Sequence, residues 1–137
     1  MQLNLQFPAT PEHASRLADV IVPAALEISG ATLDFTPGSL AEVDRIVEQM
    51  RSDGVPLEQI AETLFSFGCY VGEVLVRHAG ARWRKAADTP MAAWSGSPIV
   101  LQLGPRNFCN PIDKVFKRFA NGTEDDLSHF YSVFAGR

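Results

Sequence analysis

The stretch Phe65 to Trp83, FSFGCYVGEVLVRHAGARW, decides the fold of this 137-residue chain. It is the second half of a helix expected over Leu57–Ala79, followed by the start of a strand. Ile60, Ala61, Leu64, Gly68, Val71, Leu75 and Ala79 recur at helical spacing. Phe65, Phe67, Tyr70, Val74 and Val76 carry apolar surface well beyond that stripe. A helix that is apolar most of the way round belongs at the centre of its domain. Two features inside it go against simple helix formation. Gly68 and Gly72 each cost about 1 kcal/mol relative to alanine in a helix interior. Spaced i and i+4 they share one face, so the expectation is that another element passes too close for a side chain. Glu73 stands beside them with Arg77 at i+4, in the favourable order for an ion pair.

Working outward, Arg82-Trp83-Arg84-Lys85 reads as a strand with Trp83 inward and the basic residues outward. The run SPIVLQLG, Ser97 to Gly104, is a second strand, and a connection rich in Pro and Gly between the two predicts an antiparallel hairpin. Toward the N-terminus, Leu3, Leu5 and Phe7 alternate with polar residues and give a short strand signal. Thr10-Pro11 opens a helix whose face is Leu17, Val20, Ile21, Ala24, Ala25 and Ile28, with a kink or split expected at Pro23 and a stop at Gly30. Leu33 to Phe35 is extended. Thr36-Pro37 or Ser39 starts the next helix, and Ser39 and Glu42 have capping-box spacing; Leu40, Val43, Ile46, Val47 and Met50 face inward and Asp44, Glu48 and Asp53 toward water. After the hairpin, Cys109 falls in a loop, and Asn110-Pro111 caps a helix with Ile112, Val115, Phe116 and Phe119 buried. Asn121-Gly122 ends it, and Thr123 with Asp126 is a second capping box for a last helix. The expected fold is one α+β domain over residues 1–137: four or five helices around the central helix at 57–79, with a small antiparallel sheet.

Composition bounds the function. Apolar residues make up 46% and charged residues 20%, which suits a folded globular domain rather than a disordered chain. The start MQLNLQFPATP has no basic segment, and Glu58, Glu62, Glu73 and Arg77 interrupt the long apolar helix. A membrane span needs about 20 mostly uncharged residues, so a cytoplasmic protein with no membrane partner is expected. Cys69 and Cys109, without a C-x-x-C pair or a Cys/His cluster, read as two free thiols rather than a zinc site. His13, His78 and His129 lie on three different elements, and no nucleophile with a matched base is visible. Neither a cofactor nor a metal is expected. Arg82, Arg84, Lys85, Arg106, Lys114, Lys117 and Arg118 form a basic set, but the chain as a whole is acidic, with pI about 5.3, against the usual footprint of a nucleic-acid binder.

The net charge of −4 hides a division. Up to Leu75, eleven acidic residues face three arginines; from Val76 onward, nine basic residues face five acidic ones. An acidic face steers toward a basic partner. The reading is therefore a non-catalytic protein-binding module, in its narrower form an immunity protein that neutralises a basic toxin. The candidate contact residues are Asp34, Glu42, Asp44, Glu48, Asp53, Glu58 and Glu62. The alternative is a small enzyme or ligand binder with a half-buried carboxylate at its centre, using Tyr70, Glu73, Arg77, Trp83 and Arg106. The residues do not fix an oligomeric state.

FGCYVGE, the downstream Trp83 and NPIDKVFKRFANG resemble a family of small uncharacterised bacterial proteins. These share an F-G-x-Y-x-G-E helix and an N-P-x-x-K-V-x-K-R-x-x-N-G stretch. The resemblance covers residues 60 to 134 and brings no established chemistry. It implies a shared pattern of Phe67, Gly68, Tyr70, Gly72, Glu73, Trp83, Asn110, Pro111, Lys114, Lys117 and Arg118. Cys69 falls at a variable position, and Ile112 departs from the pattern where an aromatic residue is expected.

Overall fold

The computed structural model describes residues 3–136. Helix α1 spans Ala14–Ser29, α2 Leu40–Ser52 and α3 Leu57–Ala79; strands β1 (Arg82–Lys85), β2 (Ile99–Gly104) and β3 (Asn107–Cys109) follow; helices α4 (Pro111–Asn121) and α5 (Leu127–Ala135) complete the chain. The fold is α+β, with α3 at its centre. An unbroken run from Leu64 to Leu75 is buried, so α3 meets protein on every side. Helix α1 packs along one face of α3 and α4 along another, while α2 packs on α4 and α5, and α5 reaches α3 as well. The strands form one antiparallel sheet in the order β1-β2-β3, with Trp83 opposite Leu101 and Arg84 opposite Val100. Cys109 is therefore paired with Leu101 in a third strand, not placed in a loop.

The two glycines of α3 are sites of close approach. A Cβ on Gly68 would lie 2.5 Å from the Cα of Ile112, and one on Gly72 would collide with the six-membered ring of Trp83. The first lets α4 press its backbone against α3, and the second lets the β1 indole sit directly against the helix backbone. Asn110 caps α4 as expected, its side chain accepting from the Asp113 N–H at 3.0 Å. Gly30, Gly54 and Gly80 adopt positive φ at the ends of α1, α2 and α3, the conformation in which helices commonly terminate.

Several local expectations give way to stronger contacts. Residues 3–7 form no strand: they alternate in burial, but no β-strand lies beside them, and the Asn4 N–H donates to Glu62 instead. Gln2, part of the same alternation, lies outside the described residues. Pro23 does not split α1, which runs through it unbroken, with Pro23 exposed. Ile28, read as part of the α1 core face, is 79% exposed. Ser39 makes no cap, because its hydroxyl donates to the Thr36 carbonyl and meets Tyr70, and Thr36 caps the turn instead. Asp126, not Thr123, caps α5.

Candidate functional site

The Glu73 cluster is built by three elements. Glu73 is buried on α3, and Trp83 Nε1–H of β1 donates to its Oε2 at 2.9 Å. Arg77 Nε lies 3.8 Å from its Oε1, and the Arg77 guanidinium stacks over the Phe35 ring at 3.6 Å. Tyr70 belongs to a neighbouring cluster. The Phe35 N–H donates to its hydroxyl at 2.8 Å, and that hydroxyl meets Ser39 Oγ at 2.6 Å. His78 Nε2 donates to the Phe35 carbonyl at 2.9 Å. Phe35 has a φ of 63°, uncommon for a bulky residue. Three α3 side chains, Tyr70, Arg77 and His78, thus hold its backbone and ring in that conformation. Arg106 sits exposed in the β2–β3 turn, outside both clusters. The best-formed cavities lie elsewhere, and Tyr70, Glu73, Arg77, Trp83 and Arg106 line none of them. The geometry gives these groups a fastening job: they tie β1 and the α1–α2 loop to the central helix.

The acidic candidates divide into groups that face different ways. Asp44 is the correction that matters most. It does not face water but is buried, and its Oδ1 accepts from Arg118 Nε at 3.1 Å and from the Leu127 N–H at 2.9 Å. Its Oδ2 accepts from the N–H and hydroxyl of Ser128. One α2 carboxylate thus joins α4 to the start of α5. Burial and the nearby Asp126 carboxylate push Asp44 up to about 6. Glu48 accepts from Arg118 Nη1 at 2.7 Å and pairs with Arg51, and the Arg118 hydrogen bond holds it below the usual carboxylate range. Asp34 is exposed but accepts from the Thr36 hydroxyl and N–H in a local turn, which lowers its pKa.

Glu42 and Asp53 lie along another side of α2. Glu42 pairs with exposed Arg45 at 3.0 Å, and Asp53 accepts from Gln49 at 2.9 Å. Glu58 is exposed in the first turn of α3. On α1, Glu27 is exposed between Leu26 and Ile28, themselves 57% and 79% exposed. Ile28 and Asp53 both line a slot of about 280 Å³ between α1, α2 and α3, with Phe67 among its walls. The slot was missed in sequence reading because the apolar α1 residues look like ordinary core.

The motif residues mostly serve the framework. Gly68 and Gly72 admit Ile112 and Trp83, Pro111 packs beside Gly72, and Asn110 caps α4. Lys114 pairs with Asp125 at 2.7 Å, and Arg118 holds Asp44 and Glu48. Cys69 and Cys109 are buried free thiols, and burial pushes both up to about 12. Among the described residues no cluster of His, Cys, Asp and Glu is arranged to hold a metal, and no helix is long and apolar enough to cross a membrane. No family model, no curated protein and no solved structure matches the chain.

Proposed function

We propose that this chain is a non-catalytic binding module for a basic protein. The observation that carries the reading is the surface formed by α1, α2 and the start of α3. There Glu27, Asp53 and Glu58 are exposed and have no cationic partner among the described residues; Glu27 lies between the exposed Leu26 and Ile28 in sequence, and Asp53 lines a slot together with Ile28. Unneutralised carboxylates beside apolar side chains suit an interface with an apolar centre and a charged rim. The charges speed encounter with a basic partner, and the apolar residues slow its departure. Asp44 and Glu48 leave the contact set, because both are committed to Arg118. Asp34, Glu42, Asp53, Glu58 and Glu62 remain of the sequence candidates, and Glu27 is added to them.

The narrower form is an immunity protein whose partner is a basic bacterial toxin, acting in the cytoplasm. The test captures partners from host extract with wild type and with a Glu42→Lys/Asp53→Lys/Glu58→Lys variant. A single basic protein held by wild type, released by moderate salt and lost by the variant supports the module. Equal capture by both refutes it. The toxin form requires in addition that the captured protein arrest growth when expressed alone and not when this chain is co-expressed.

A further inference from the structure

The fold treats the members of the basic second half differently. Lys114 and Arg118 are held in ion pairs, whereas Arg82 and Arg84 of β1 have no carboxylate within ion-pair distance among the described residues. Two positions apart on one strand, they project from the same face of the sheet, opposite to Trp83. Gln102 of β2 stands across from Arg82. Its Oε1 accepts from Arg82 Nη2 at 3.2 Å and from Arg84 Nη1 as well. Its Nε2 donates to the Gly104 carbonyl at 2.8 Å, which keeps the amide oxygen turned toward the arginines. Two guanidinium groups thus share one neutral oxygen, and their donor nitrogens lie within about 6 Å of each other.

Gln102 holds these like charges together without neutralising them. Each guanidinium has five N–H donors and no acceptor. Arg82 places one on protein and Arg84 two, the second on the Asp88 backbone carbonyl at 3.4 Å, while the exposed Asp88 carboxylate forms no ion pair. A cleft of about 450 Å³ is lined by Arg82 and Gln102 together with Gly80, Gly104 and Pro105, a size usual for ligand sites. Gly80 brings the end of α3 to this cleft, and carbonyls at a helix C-terminus accept hydrogen bonds but disfavour negative charge. We infer that Arg82 and Arg84 form a clasp for one phosphate group, carried by a phosphate monoester of a small hydroxylated molecule. A phosphate monoester brings a charge of about −1.5 to −2 and three acceptor oxygens, which match two guanidinium groups. A carboxylate, with one charge and two oxygens, leaves one of them unmatched. The α3 end of the cleft suits hydroxyl donors and repels a second phosphate. None of these residues belongs to the acidic contact set, so the clasp goes beyond the basic-partner reading and does not depend on it.

The test titrates inorganic phosphate into full-length protein carrying isotope-labelled arginine, with ionic strength held constant by sodium chloride. The Nε–H resonances of Arg82 and Arg84 should shift together and saturate. Gln102→Glu sets a carboxylate where the neutral oxygen stands and neutralises the clasp from within. It should weaken phosphate binding about tenfold or more, the loss of one charge-assisted contact, without lowering the melting temperature. Because that change also removes the donor to the Gly104 carbonyl, Arg82→Gln, at an exposed position, is the second variant, with the same loss expected. Ribose 5-phosphate should bind more tightly than inorganic phosphate, through its hydroxyls. Shifts reproduced by sodium chloride alone, or phosphate binding that both variants retain, would overturn the clasp. Ribose 5-phosphate binding no more tightly than inorganic phosphate would overturn the hydroxylated ester. Tighter binding of a phosphoserine peptide, or of a single-stranded oligonucleotide with a steep salt dependence, would overturn the small-molecule assignment.

Discussion

Gly72→Ala is the sharpest probe of how the molecule is held together. In an unobstructed helix the change gains about 1 kcal/mol. Here the added methyl would enter the Trp83 ring, with Pro111 Cγ 3.2 Å away on the other side. The indole has little freedom to retreat, because its Nε1–H is bound to the buried Glu73 carboxylate at 2.9 Å. Overpacking a filled site costs about 1–3 kcal/mol. Losing a hydrogen bond to a charged group adds about 1.5–3 kcal/mol if the indole swings away. With the helix gain subtracted, Gly72→Ala should destabilise by about 1.5–5 kcal/mol. Urea unfolding followed by far-UV circular dichroism measures this, with Gly104→Ala, where nothing lies within 4 Å, as the neutral control. A double-mutant cycle with Trp83→Phe isolates the collision. The smaller ring should cancel at least about 1 kcal/mol of the Gly72→Ala cost, since touching side chains are coupled by about 0.5–3 kcal/mol. If Gly72→Ala is as stable as wild type, the close approach is not what keeps glycine there and the account of α3 fails.

Three further outcomes follow from the buried polar groups. Glu73→Gln keeps an acceptor for Trp83 and should cost under about 1 kcal/mol, whereas Glu73→Leu orphans the indole N–H and should cost about 1–3 kcal/mol by the same unfolding assay; equal costs would show the Trp83 bond to be idle. The folded-state pKa of Asp44 is raised to about 6, so between pH 4 and 6 the native state binds a proton more readily than the unfolded chain. Its contribution to stability therefore falls as pH rises through that window and is flat above it. Stability of wild type minus that of Asp44→Asn should decline from pH 4 to 6, and a flat difference would refute the shift. The lowered carboxylates Glu48 and Asp125 act in the opposite sense, losing their contribution as pH falls through their folded values, and both proteins carry them; Asp126 is lowered chiefly by its hydrogen bond to Asp44, so the difference between the two proteins reports Asp44 and Asp126 as a pair. Finally, Cys69 and Cys109 should resist a thiol reagent in native buffer and react promptly in urea, because burial holds both thiols near 12; fast native labelling would contradict the packing of α3 against the sheet.

What was legible in the sequence is what local chemistry writes. The bounds of α3, the Asn110-Pro111 start of α4 and the pairing of β1 with β2 follow from periodicity, capping and alternation within a few residues. The need for glycine at 68 and 72 was legible too, but not that Ile112 and Trp83 would fill the space. Asp44 shows why the rest was hidden. Its spacing puts it beside Glu48 on a polar helix face, and its partner Arg118 lies 74 positions further along the chain. The failed capping boxes have the same cause, since the Ser39 hydroxyl is drawn away by Tyr70, a residue on α3. The slot depends on how far α1 and α2 stand apart, which no pattern within either helix records.

The division of charge along the chain takes a different meaning once the pairs are known. The basic second half does not present its charge outward as a block. Arg77 leans on Glu73, Lys114 on Asp125, and Arg118 reaches back to Asp44 and Glu48, so three of its nine cations neutralise acid from both halves. Arg82 and Arg84 both converge on the Gln102 side chain across the sheet. The acid left over is spread along the whole chain: among the described residues Glu12, Asp19, Glu27, Asp34, Asp53, Glu58, Glu62, Asp88, Asp113, Glu124 and Asp126 have no cation within ion-pair distance. Two of them bear on the proposed interface, since Glu27 adjoins the exposed Ile28 in sequence and Asp53 lines the slot that Ile28 edges. Exposed charges of this kind contribute little to folding, so Asp53→Lys should leave the unfolding midpoint nearly unchanged, and any loss of partner capture it causes reports the contact rather than the fold.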